Sequence, residues 1–195
     1  MAEPRHAAIL LAAGASTRLG HPKQLVEIDG EALLRRAARA LLTTRPAALV
    51  VVLGHDAEAM RAVLAGIDAH CVLARDHAEG LSASLRAGLA ALPADVDGAL
   101  VALTDQPALE AAHLAVLCAT WRSDPARAVA SAYAAVLGVP AILPRGWFDE
   151  IGRLRGDVGA RLLLRARTAE VVAIDAPALA QDLDMPGDLA RPPCP

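Results

Sequence analysis

The sequence predicts a mostly parallel, doubly wound α/β sheet, and three features predict it. Apolar runs at 7–12, 48–53 and 99–103 are continuous rather than alternating. Strands of that kind are covered on both faces, which in a globular domain means helices above and below a largely parallel sheet. Amphipathic stretches of helical period separate the runs. Each run stops at turn-forming residues: Gly14, Gly54 and Thr104-Asp105-Gln106-Pro107. The 195 residues are enough to bury a real core. Hydrophobic residues make up 55% but aromatics only 2%, so that core is expected to be aliphatic. One domain, residues 1–195, is expected, with about 7–190 ordered.

The elements follow in order. Residues 7–12 read as a buried strand. Residues 31–42 read as a helix, with Leu33, Leu34, Ala37, Ala38 and Leu41 on one stripe and Arg35, Arg36 and Arg39 around it. A second strand at 48–53 ends at Gly54, and 56–64 reads as a helix. A short strand at 70–73 precedes a helix at 82–92, where Leu85, Leu89 and Leu92 share a face and Pro93 stops the turn. The fourth strand, 99–103, is followed by a helix at 109–121. Strands at 128–133 and 139–143 flank an irregular connection at 134–138. Helices at 147–154 and 158–167, a strand at 171–174 and a polar tail with Asp182, Asp184 and Pro186 complete the chain. Residues 191–195 are expected to fray.

Ligands of such sheets bind at the carboxyl ends of the strands. The segments at those ends are 14–23, Gly54-His55 and Asp105. The first carries two cations, Arg18 and Lys23, on a Gly/Ser/Thr loop rich in free backbone N–H groups, which suits a polyphosphate. Arginine forks two phosphate oxygens, whereas lysine acts as a point charge. The Walker spacing is absent, because Lys23 lies three residues after Gly20 and is followed by Gln24. The dinucleotide fingerprint is absent too: Gly14-Ala15-Ser16 lacks its second glycine.

Composition narrows the classes further. A net charge of −3 gives no global basic field, against non-specific nucleic-acid binding. Cys71, Cys118 and Cys194 are odd in number and far apart, so a disulfide frame or structural zinc is not expected; a reduced cytoplasmic protein is. No apolar stretch has the length of a membrane span, and no convincing signal-peptide cleavage site follows Arg5 and His6. The six histidines show no ligand spacing, although His21 and His55 fall in the strand-end loops. Neither a Ser/His/Asp set nor a general base stands out. That suits a phosphate nucleophile, already ionised near neutral pH.

The pattern Leu11-Ala12-Ala13-Gly14-x-Ser16-x-Arg18-x-Gly20-x-x-Lys23, continued by Gln24-Leu25, resembles the signature of nucleotidyltransferases of the Rossmann-like GT-A type, three α/β/α layers. Within them the chain is most similar to the molybdenum cofactor cytidylyltransferase group, with the MobA guanylyltransferases as cousins. Gly80-Leu81-Ser82-Ala83-Ser84-Leu85, the Asp105 turn, Gly138-Val139-Pro140-Ala141-Ile142-Leu143-Pro144, Gly156-Asp157-Val158-Gly159-Ala160-Arg161 and Asp182-Leu183-Asp184-Met185-Pro186 extend the likeness over about 7–190.

The resemblance implies transfer of CMP from CTP to the molybdenum cofactor, with release of pyrophosphate and dependence on Mg²⁺. It implies nucleotide contacts from Leu11, Ala12, Ala13, Gly14, Arg18, Lys23, Gly80 and Ser84. It assigns catalysis to Arg18, Lys23 and Asp105, and the metal to Asp105 and Asp184. Asp182 is a weaker candidate. Plainer roles stand beside these: a turn or helix cap for Asp105, a turn for Asp184, packing for Ser84 below a capping Ser82, and a cap at the 158–167 helix for Asp157. Partners implied are the two substrates and a molybdenum hydroxylase or its insertion chaperone, without nucleic acid or membrane. Val139, Arg75, Met185 and Gly187 depart from the group's pattern, the first three where acceptor or base is recognised. A guanylyltransferase, a sugar- or alcohol-phosphate nucleotidyltransferase and a non-catalytic nucleotide-binding module remain the alternatives.

Overall fold

In a computed structural model, the structure describes residues 3–14, 22–54 and 56–180. The strands are β1 (His6–Ala12), β2 (Glu27–Ile28), β3 (Glu31–Ala32), β4 (Leu49–Leu53), β5 (His70–Leu73), β6 (Gly98–Leu103), β7 (Ala128–Tyr133), β8 (Val136–Pro144) and β9 (Val171–Asp175). The helices are α1 (Leu33–Leu42), α2 (Ala57–Val63), α3 (Leu81–Ala90), α4 (Ala111–Ser123), α5 (Phe148–Ile151) and α6 (Ala160–Ala166).

Seven strands form one sheet in the order β5-β4-β1-β6-β8-β7-β9. All pairings are parallel except the two made by β8, which runs against β6 and β7. The mostly parallel α/β sheet expected from the continuous apolar runs is therefore present. Strand alternation splits the core in two. Leu10, Val51, Leu53 and Leu100 pack with Leu34, Leu41, Met60, Leu114 and Trp121 of α1, α2 and α4. Ile9, Leu11, Val50, Val52 and Val101 pack with Leu85, Ile151, Leu163 and Leu164 of α3, α5 and α6. Helices thus cover both faces, giving three layers. Each fully buried Leu or Ile contributes about 2 kcal/mol of transfer free energy. Close approach is secured at Gly88 of α3, where a Cβ would stand 2.7 Å from Cγ2 of Ile9.

Several boundaries differ from the sequence reading. Residues 27–32 form a small β2–β3 hairpin, turned at Asp29 and Gly30, both at positive φ (54° and 76°). Asp-Gly between two short extended pairs is a hairpin signal, so α1 begins at Leu33 rather than 31. The connection at 134–138 is not irregular. Ala134 and Ala135 both take left-handed φ (48° and 60°), and β8 starts at once at Val136. Alanine seldom adopts that conformation, so its sequence gives no cue. The helix read at 147–154 is a 3-10 turn, Arg145–Trp147, leading into the four-residue α5.

Candidate active site

The carboxyl ends of β1, β4 and β6 lie side by side because β1 pairs with both neighbours in register: Ala12 opposite Leu53, and Leu11 opposite Leu103. Gly54 follows β4, and a Cβ there would meet the Ala13 carbonyl oxygen at 2.5 Å, so the two strand ends touch through backbone. After Gly14 the chain returns at Pro22 and makes a 3-10 turn, Lys23–Leu25. Gln24 in that turn is 1% exposed. Its amide donates to the carbonyls of Ala12 (3.1 Å) and Gly14 (2.8 Å) and ties the returning segment to the end of β1.

That clamp sets Lys23 above the sheet edge. Its Nζ lies 2.5 Å from Oδ2 of Asp105, which stands two residues past β6. The two side chains are only 15% and 17% exposed, so the pair is held in a poorly hydrated place. Such a charge-assisted contact is short and strong, provided both charges stay balanced. The other carboxylate oxygen, Oδ1 of Asp105, is buried and accepts no hydrogen bond among the described residues. An unsatisfied buried acceptor costs about 1–3 kcal/mol. It is the arrangement expected of an oxygen kept for a cation or a donor group.

The far wall begins at Gln106, 4% exposed. Its Nε2 donates to the Val139 carbonyl (3.0 Å) and lies 3.4 Å from the Tyr133 hydroxyl. Tyr133 donates to the same Val139 oxygen at 2.9 Å. Gly138 makes room for that ring, since a Cβ would fall 2.4 Å from the phenol oxygen. One strand residue further, Ser131 donates to the Pro140 carbonyl and meets Nε2 of His113, both at 2.7 Å. Burial pushes the His113 imidazole below its usual range.

The third side is the start of α3. Gly80 has φ +106°, and a Cβ there would lie 2.7 Å from the backbone of Gly156 and Asp157. Asp157 accepts the Leu81 N–H at 3.2 Å, so it caps α3 across the fold rather than its own following helix. Ser82 is inside α3 and donates its hydroxyl to the Gly156 carbonyl at 2.7 Å. Leu81, Leu103, Val139, Asp157, Arg161 and Arg165 line a cavity of about 330 Å³ between these walls.

Of the residues singled out from sequence, Lys23 and Asp105 are brought into contact. Leu11 and Ala12 are buried in β1 and Ala13 is 6% exposed, so side chains there belong to the core while Gly14 is exposed. Ser84 is 4% exposed within α3. Arg18, Asp182, Asp184, His21 and His55 lie outside the described residues. Among the described residues no three His, Cys, Asp or Glu side chains gather as a metal cluster. No helix there is long and apolar enough to cross a membrane. Sequence reading passed over Gln24, Gln106 and Tyr133. The available signal was a glutamine directly after each charged residue of the pair.

Residues 8–177 match the MobA-like NTP transferase domain. Nicotine blue oxidoreductase of Paenarthrobacter nicotinovorans is 35% identical over 177 residues, 86% of this chain and 85% of that protein. The bifunctional protein GlmU of Rhodococcus opacus is 34% identical over 77% of this chain, which spans only about a third (31%) of that longer relative. Among solved structures, Rv0371c of Mycobacterium tuberculosis H37Rv is 30% identical, with a TM-score of 0.84 and 97% of both chains covered. The same protein has been solved in complex with manganese. CMP:2-keto-3-deoxy-manno-octonic acid synthetase shares the fold at 14% identity, with a TM-score of 0.75 over 95% of both chains. The chain has the nucleotidyltransferase fold and belongs to the MobA-like NTP transferase family.

Proposed function

We propose that the protein is an Mg²⁺-dependent nucleotidyltransferase that moves CMP from CTP onto the terminal phosphate of molybdopterin carrying molybdenum. The acceptor phosphate oxygen forms a bond to the α-phosphorus, the bond between α-phosphorus and the bridging oxygen breaks, and pyrophosphate leaves. The observation that carries the reading is the half-satisfied carboxylate of Asp105, paired to Lys23 on one oxygen and free of hydrogen bonds on the other among the described residues.

A divalent cation fits that donor set: Oδ1 is a hard, buried, desolvated oxygen, the ligand type Mg²⁺ and Mn²⁺ take. The manganese complex of the M. tuberculosis relative supports the same class of ion. Asp105 is one ligand, and Asp184, outside the described residues, is the proposed second. When bound, the ion supplies positive charge that neutralises the triphosphate. The chain's own residues do the rest. Lys23 and Arg18 draw the departing pyrophosphate, and the backbone of Ala12, Ala13 and Gly14 approaches the nucleotide, with Gly80 and Ser84 opposite. The 330 Å³ cavity offers Arg161 and Arg165 for acceptor phosphate beside apolar Leu81 and Val139 for its ring system. Positioning and electrostatics then account for catalysis, with no proton to remove. A molybdenum hydroxylase or its insertion chaperone is the proposed recipient of the product.

Pyrophosphate release is expected only with CTP, molybdenum cofactor and Mg²⁺ together. Release with GTP, or with a sugar or alcohol phosphate as acceptor, moves the protein to those alternatives. Nucleotide binding without release from any triphosphate overturns the reading and makes it a binding module. A second reading follows from the 35% identity to nicotine blue oxidoreductase over 86% of this chain. Bleaching of nicotine blue by a hydride donor, with no pyrophosphate formed, would favour it.

A further inference from the structure

Lys23 and Asp105 are each followed by a buried glutamine, and the two glutamines face opposite ways. Gln24 gives its amide hydrogens to the carbonyls of Ala12 and Gly14, on the β1 side. Gln106 gives its amide to the Val139 carbonyl, on the β8 side. Both are at least 96% buried, at 1% and 4% exposure. The Val139 oxygen receives two donors, Gln106 and Tyr133. Val139 itself lines the 330 Å³ cavity, together with Tyr133. A Cβ at Gly138 would crowd the Tyr133 phenol and displace it from the Val139 carbonyl. The wall of the cavity is thus hung from the residue next to Asp105.

We propose that Gln24 and Gln106 are paired positioning residues that divide the site: Gln24 sets the nucleotide loop, and Gln106, with Tyr133, sets the acceptor wall at Val139. This rests on the nucleotidyltransferase reading for the identity of the two substrates. Neither glutamine touches reacting atoms. Each converts the fixed Lys23–Asp105 contact into a fixed distance to one substrate's wall. Positioning errors of this kind weaken the binding or orientation of the substrate on that side and spare the other.

The test compares Gln24→Met and Gln106→Met, which keep length and remove the donors, with Tyr133→Phe as a milder change at the same carbonyl. CTP affinity is read by titration, acceptor KM by pyrophosphate release, and backbone protection by hydrogen exchange of segments 12–14 and 136–140. Gln24→Met is expected to weaken CTP about tenfold and loosen 12–14 alone. Gln106→Met is expected to raise acceptor KM about tenfold, with CTP affinity within about twofold, and to loosen 136–140 alone. Tyr133→Phe follows Gln106→Met at about threefold, and Gln106→His, which restores an N–H donor, recovers part of the loss. Equal loss of CTP affinity in both glutamine variants, or loosening of both segments by either one, overturns the proposal. If the wild type binds CTP yet transfers it to no acceptor, the functional reading fails. The affinity and exchange arms still decide the division of the site.

Discussion

The two edges of the sheet bury polar side chains to a similar degree and use them differently. At the amino-terminal edge, His6 is 3% exposed, with its Nε2 3.0 Å from Oγ1 of Thr44 and 3.8 Å from Sγ of Cys118. Thr44 in turn donates to the Leu41 carbonyl at the end of α1. Arg122 lies over this group and its Nε is 3.3 Å from Glu3, while Arg5 pairs with Asp95. The charges are paired within the edge, and the buried atoms left without a hydrogen bond there among the described residues, Trp121 Nε1 and Arg122 Nε, are donors. At the carboxyl-terminal edge the atoms left over are acceptors: Oδ1 of Asp105 and Oε1 of Gln106. Burial of polar groups is therefore a poor guide to function in this fold. Unspent acceptor capacity next to a fixed cation is the better one, because it is costly to keep and has a use only when a cation or donor arrives.

The contrast breaks most readily at Asp105. Asp105→Ala is expected to lower turnover about 10³-fold, roughly 4 kcal/mol, while CTP affinity falls by less than about tenfold. Its melting temperature should fall, since the change removes the carboxylate that balances the mostly buried Lys23 charge, a larger loss than the orphaned oxygen it relieves. Pyrophosphate release, titration and thermal melts report all three, and retained turnover would remove the metal role from Asp105.

The opposite edge should answer to pH and stability instead. Burial, with Arg122 adding to it, pushes the His6 imidazole down from 6.5 to about 4. The folded state holds this ring neutral, whereas the unfolded chain takes up its proton near pH 6.5. Its contribution is thus complete above about pH 6.5 and is lost as pH falls towards 4, about 3 kcal/mol over that window. Urea unfolding from pH 7 to pH 4, wild type against His6→Gln, isolates this from His113, which is also depressed. Parallel pH profiles would show that His6 is not the source.

The smallest effect is expected at the rim. Arg122→Gln removes the partner of Glu3 and should cost about 1 kcal/mol or less, leaving turnover within about twofold. A larger loss of turnover than of stability would erase the distinction between the edges.

Much of the fold was legible locally. Continuous apolar runs announced β1, β4 and β6, and the periodic stripe of Leu34, Ala37, Ala38 and Leu41 announced α1, because these signals sit among neighbours in the chain. The turn at Ala134-Ala135 was not legible, since its left-handed backbone is imposed by the pairing of β7 with β8 rather than by residue type. Asp157 was read as a cap for the helix after it, yet it serves α3, 76 positions away.

The sequence by itself determined the layered α/β architecture, the aliphatic core and the loop from Leu11 to Lys23 whose spacing excludes the Walker and dinucleotide types. Period, turn chemistry and motif spacing are properties of adjacent residues. Only the tertiary structure decided that β8 enters the sheet antiparallel between β6 and β7. It alone brought Lys23 against Asp105 across 82 positions and hung Val139 from Gln106 across 33. Those contacts depend on which strand ends the packed core sets side by side, and no local pattern carries that.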